Sequence, residues 1–168
     1  MGAGIHTQVQ ICRDGEWETF DNPIFKRYDE MSSSPFEEQN YGLFGLLADV
    51  RNYARIPIIT ELKGLPKVEF PAVKATDIGF SCMEPDDPWP LHWDNHSATW
   101  YLLSELLEFD YDVQFENRRD DSGDTLPAGD GQLTTIRRYI GEKYFEDLDK
   151  LSEIADSDKI RVIISFDS

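Results

Sequence analysis

The chain begins with an alternating stretch, "GIHTQVQICRDGEWETF". Ile5, Thr7, Val9 and Ile11 fall on one side, and His6, Gln8 and Gln10 fall on the other. Period-two alternation predicts a strand with one buried and one wet face. Asp14-Gly15 supplies two residues tolerant of positive φ, so a tight turn returns the chain through "EWETF" as a hairpin. Residues 21 to 40 carry Pro23, Pro35 and three serines and read as a loop.

The period then changes. In "NYGLFGLLADVRNYARIP", Leu43, Leu46, Leu47 and Val50 form a helical stripe, Asn40 is placed to cap it, and Pro57 stops it. Gly42 and Gly45 weaken the helix intrinsically and suit close packing of a neighbour. Arg51 and Arg55 project from its C-terminal end, where cations favour the helix dipole. Prolines 57, 66, 71, 85, 88 and 90 then mark a long irregular stretch, interrupted by a short strand candidate, "DIGFSC". Long loops of this kind are often functional.

"HWDNHSATWYLLSELLEFD" predicts a helix starting near Ser97 that carries Trp100, Leu102, Leu103, Leu106, Leu107 and Phe109. "ENRRDDSGDTLPAGDGQ" reads as a polar loop. Residues 133 to 158 place Ile136, Tyr139, Ile140, Tyr144, Leu148, Leu151 and Ile154 at helical spacing, with a break near Gly141. "KIRVIISFDS" closes as a strand. Ile160, Val162, Ile164 and Phe166 share one face and Ile163 lies on the other, which predicts a central position. The expected fold is α+β: one domain over residues 1–168, with a small, mostly antiparallel sheet formed by the N-terminal hairpin and the C-terminal strand, about three packing helices and long Pro-rich loops.

Composition narrows the function. Hydrophobic residues at 40% are enough for a core, whereas 33 acidic residues against 16 basic ones give a net charge of −17. That field repels nucleic acid and anionic membrane, and it suits a basic partner. No apolar run approaches the roughly 18 residues of a membrane span, and no signal-peptide core is present. Cys12 and Cys82 read as buried thiols in a reducing cytoplasm.

The candidate chemistry centres on residues 92 to 100. His92, Asp94 and His96 at period two would face one side of an extended segment and offer a metal N, O and N. A helix beginning at Ser97 turns His96 away, and the fourth ligand is missing, so neither a metal nor a cofactor is expected. The alternative is an anion site at the helix start. His96, Ser97 and Thr99 would supply donors, Arg51, Asn52 and Arg55 a polar clamp, and Trp100 an aromatic wall. No glycine-rich phosphate loop, nucleophile elbow or Cys-His pair is present, so no catalytic residue is assigned. The carboxylate-rich stretch from Glu105 to Asp130, with nine acidic residues and only Arg118 and Arg119 as cations, offers a separate surface for a basic protein.

"YGLFGLLADVRN", "GLP", "HSATWYLLSELLEFD" and "IRVIISFDS" together resemble a family of short, mostly uncharacterised tailed-phage and prophage accessory proteins. The resemblance spans residues 41 to 66, 96 to 110 and 134 to 168, and Lys63 stands where the pattern has arginine. It implies a viral protein in the host bacterial cytoplasm, with counter-defence as the role. Three expectations follow. The first is a binding protein that sequesters a phosphorylated, nucleotide-like small molecule. The second is an acidic inhibitor or DNA mimic that binds a basic host protein. The third is a metal-dependent nucleotide hydrolase. The sequence leaves a homo-oligomer open.

Overall fold

The computed structural model describes residues 2–66 and 95–167. Strands β1 (Gly4–Arg13) and β2 (Glu16–Phe20) form the expected hairpin, and Asp14 and Gly15 take φ of 53° and 78° at its turn. Strand β8 (Ile160–Asp167) pairs antiparallel with β1 on one side. On the other it pairs with β5 (His96–Leu102), giving the order β2-β1-β8-β5. The C-terminal strand is therefore central, as its two-faced hydrophobicity predicted. Two small ribbons flank the sheet: β3 (Phe25–Arg27) with β4 (Glu30–Ser32), and β6 (Gln114–Asn117) with β7 (Gln132–Thr135).

Helices α1 (Tyr41–Ala48), α2 (Leu103–Glu108), α3 (Ile136–Ile140) and α4 (Glu142–Ser152) complete the described elements. Their apolar residues pack on Val9, Tyr101, Ile160, Val162, Ile164 and Phe166, all fully buried or nearly so. Burial of each such large side chain contributes roughly 1.5–3 kcal/mol. Asn40 caps α1 by accepting the Leu43 N–H at 3.1 Å. The two helix glycines are contact points: a Cβ on Gly42 would lie 2.6 Å from the Tyr139 ring, and one on Gly45 would lie 2.8 Å from Asn52 Cγ. Gly141, at φ 82°, separates α3 from α4. The fold is the small α+β arrangement expected.

Several boundaries differ from expectation. Alternation along β1 suggested a wet face, yet Gln8 and Gln10 are 3% and 1% exposed. Arg161, on the same face of β8, is also buried. Its Nε donates to Gln10 Oε1 at 2.8 Å and its guanidinium lies 4.2 Å from the Trp17 ring. Burial lowers its pKa to about 10. Gln10 is inside because Arg161 is inside, a pairing that periodicity does not report. The loop expected over 21 to 40 contains the β3–β4 ribbon. Residues 132 to 135 form a strand rather than the first helical turn. Cys12 is half-buried; "DIGFSC" with Cys82, and the segment with His92 and Asp94, lie outside the described residues.

Candidate functional site

The helix expected from Ser97 is not there. His96–Leu102 is strand β5, and helix α2 starts at Leu103. Thr99, Trp100 and Tyr101 are β-branched or aromatic, residue types that suit a pleated, half-buried surface. Their ladder partners on β8 are Ile164, Ile163 and Val162. A bulge between His96 and Thr99 places Ser97 at φ 55° and shifts the register, so the apolar pattern of the strand runs on into that of the helix. With no helix start at Ser97, the free N–H groups expected to bind an anion are absent from this position.

The clamp residues are rearranged as well. Helix α1 ends at Ala48, and Asp49 caps it in the left-handed conformation, its N–H donating to Gly45 O at 2.9 Å. Arg51 and Arg55 then take φ of 50° and 60°, in successive turns rather than on one helical side. Asn52 organises those turns. Its Oδ1 accepts the Ile56 N–H at 2.9 Å, and its Nδ2 donates to Asp49 Oδ1 and Ile56 O at 2.8 and 2.9 Å. Arg51 Nη1 donates to the Tyr53 hydroxyl at 3.0 Å, which raises the pKa of the guanidinium.

On β5, His96 Nδ1 lies 2.9 Å from Ser97 Oγ, and the fully buried Thr99 hydroxyl accepts the Lys63 N–H at 3.2 Å. Lys63 reaches over the Trp100 ring, 4.4 Å from its centroid, and its ammonium binds both oxygens of Glu105 at 2.8 and 2.7 Å. The predicted residues thus occupy two places, the turns after α1 and strand β5.

A more coherent constellation lies where β1 begins and β8 ends. A cavity of about 330 Å³ is lined there by Gly4, His6, Arg27, Tyr28, Glu37, Glu38 and Asp167, among others. None of the seven predicted ligand residues lines it. His96 lies close by, within electrostatic reach of Asp167. The Asp167 carboxylate is held at both oxygens: Oδ1 accepts the Gly4 N–H at 2.8 Å, and Oδ2 lies 2.6 Å from His6 Nε2. The His6 bond leads the causes that lower its pKa. Gly4 makes this geometry possible, because a Cβ there would meet Asp167 Oδ1 at 2.9 Å.

Glu37 behaves oppositely. Burial raises its pKa, although Arg27, with Nη1 3.2 Å from Oε2, and the Thr7 N–H both work against that rise. Sequence reading missed this site because His6 and Asp167 are 161 positions apart. The available signal was their location at opposite ends of two strands expected to lie side by side.

The acidic stretch is a third feature. Glu108, Asp110, Asp112, Asp121, Asp124 and Asp130 are exposed. Asp120 instead organises its own loop. It accepts the Ser122 hydroxyl at 2.6 Å and the Ser122 and Asp124 N–H groups at 2.9 Å, bonds that lower its pKa. Glu116 similarly accepts the Gly129 and Gly131 N–H groups at 2.7 and 3.0 Å. Among the described residues, no cluster of three or more His, Cys, Asp or Glu side chains has metal-site geometry, and no helix is long and apolar enough to cross a membrane. Comparison with family models, with curated proteins and with solved structures gave no match to the chain, so the functional reading rests on its own geometry.

Proposed function

We propose that the protein is a non-enzymatic, acidic binding protein that docks a basic, nucleic-acid-handling protein. One observation carries the reading. In the stretch from Glu105 to Asp130, local bonds occupy Asp120 and Glu116, while Asp121, Asp124 and Asp130 project into solvent from the loop those bonds make rigid. A rigid loop presenting unneutralised carboxylates on a chain of net charge −17 gives fast, salt-sensitive association with a cationic surface. The resemblance to phage accessory proteins makes a host defence protein the class of partner, and mimicry of a DNA backbone the mode. Sequestration of a phosphorylated nucleotide has less support, because its expected donors do not share a helix start and the cavity between the ends of β1 and β8 is lined by three carboxylates.

Titration with a 15-residue peptide of alternating arginine and serine, at low and moderate salt, tests the reading. The expected result is saturable one-to-one binding. It should weaken about tenfold, with a flatter salt dependence, in the triple variant Asp121→Asn, Asp124→Asn, Asp130→Asn. If the triple variant binds as the unmodified protein does, the attraction is diffuse and the reading fails.

A further inference from the structure

The cavity at the junction of β1 and β8 has a chemistry that the acidic loop does not share. We infer that it is a receptor for one guanidinium or ammonium side chain of a polypeptide partner. This inference rests on the reading of a basic partner and identifies where that partner is anchored.

Three observations converge. Glu37, Glu38 and Asp167 line the walls against Arg27 and His6, so the lining stays negative even with His6 protonated. Secondly, the cavity already receives a guanidinium: Arg27 sits with Nη1 3.2 Å from Glu37 Oε2. Glu38 also lines the space, and Asp167, whose oxygens hold Gly4 and His6, adds its charge to the wall. Thirdly, Tyr28 stands at the wall 64% exposed, held at φ 51° in the β3–β4 turn. A bulky residue in that conformation is an outlier. Its side chain supplies the aromatic face that, beside carboxylates, binds organic cations.

The backbone fits as well. Strand β2 covers β1 only from Val9 to Arg13, so among the described residues the edge from Gly4 to Gln8 has no strand on that side. Side chains stand in for one at its start: Tyr41 accepts the Ala3 N–H at 3.2 Å, and Gln39 donates to Ala3 O at 3.4 Å. Ile5, next along this edge, lines the cavity, where an extended peptide would run beside β1. At about 330 Å³ the space is at the small end of ligand sites, which run from roughly 300 to 1,000 Å³, so one side chain rather than a nucleotide is the matching guest. The acidic loop adjoins it. Arg119 lies 5.6 Å from the ring of Tyr41, whose hydroxyl bonds the cavity residues Ala3 and Gln39. A basic partner would thus be steered by the loop and anchored in the cavity.

Backbone amide shifts in a ¹⁵N–¹H titration of the full chain test this, with ethylguanidinium as probe and ethylurea as its neutral isostere. Saturable shifts at Gly4, Ile5 and Gln39 with ethylguanidinium, and none with ethylurea, are expected. Affinity should fall about tenfold in Glu38→Gln. In Tyr28→Gly, which relieves the backbone and so leaves folding intact, it should fall about threefold. Equal shifts from ethylurea, or unchanged affinity in both variants, would overturn the inference. If the arginine-serine peptide binds while these amides stay silent, the anchor is wrong and the acidic-surface reading survives. If the cavity binds ethylguanidinium but the peptide fails to bind, the anchor stands and that reading falls.

Discussion

Two polar stretches, residues 49–56 and 116–130, are used in different ways. From Asp49 to Ile56 one side chain serves the backbone: Asn52 makes three bonds to neighbouring groups and closes the turns after α1. From Glu116 to Asp130 the carboxylates that bond the backbone are Asp120 and Glu116, while Asp121, Asp124 and Asp130 are exposed. Polar residues that satisfy the backbone hold a shape, and polar residues the backbone does not need are available to a partner. In the first stretch, which reads as a ligand clamp in the sequence, Asn52 bonds the backbone of its own turns. In the second, Asp121, Asp124 and Asp130 are exposed.

The comparison can be broken most sharply at Asn52. Its replacement by alanine removes three bonds at about 0.5–1.5 kcal/mol each and should cost about 2–4 kcal/mol, read as a lower urea midpoint with unchanged slope. A loss below about 1 kcal/mol would show that Asn52 is not the organiser. Gly45→Ala tests the same contact from the helix side. The gain in helix propensity is about 1 kcal/mol, but the new Cβ would meet Asn52 at 2.8 Å and Ile56 at 2.9 Å. Overpacking at about 1–3 kcal/mol outweighs the gain, so a net loss of about 1 kcal/mol is expected in thermal melts.

Asp167→Asn should alter the acid limb of stability. The folded carboxyl titrates below the ordinary 3.8, so its contribution is present above that pH and disappears as pH falls through the folded value. Asparagine removes this dependence. The His6 and Asp167 side chains are 33% and 39% exposed, so screening holds the effect to roughly 0–1 kcal/mol. Acid titration of ellipticity below pH 4 would check it, and an unchanged limb would contradict the pairing. Arg55→Gly should stabilise by about 0.5 kcal/mol, because glycine accepts φ of 60° without the Cβ penalty but loses more chain entropy. The smallest change belongs to the outward stretch: the Asp121, Asp124, Asp130 triple variant should fold with stability within about 0.5 kcal/mol of the unmodified chain. A larger loss would mean that those carboxylates, too, hold structure.

Local signals were legible and non-local ones were not. The Asp14-Gly15 turn, the Asn40 cap, the close approaches at Gly42 and Gly45, the break at Gly141 and the central position of β8 each depend on a few adjacent residues. The helix start expected at Ser97 was misplaced. Residues 96 to 109 carry strand and helix patterns end to end, and a bulge at Ser97 hides the join. Apolar spacing over so short a run does not distinguish the two.

By itself the sequence determined the α+β class, the hairpin, the central strand and an acidic exterior, because periodicity, turn chemistry and charge act over short distances or through composition. Only the tertiary structure decided that Gln10 goes inside with Arg161, that His6 meets Asp167, and that Glu37 sits partly buried beside Arg27. Those pairs join residues that pattern alone treats as independent. A buried charge or amide is tolerated only where the fold supplies its partner, so its place is known once the strands are side by side.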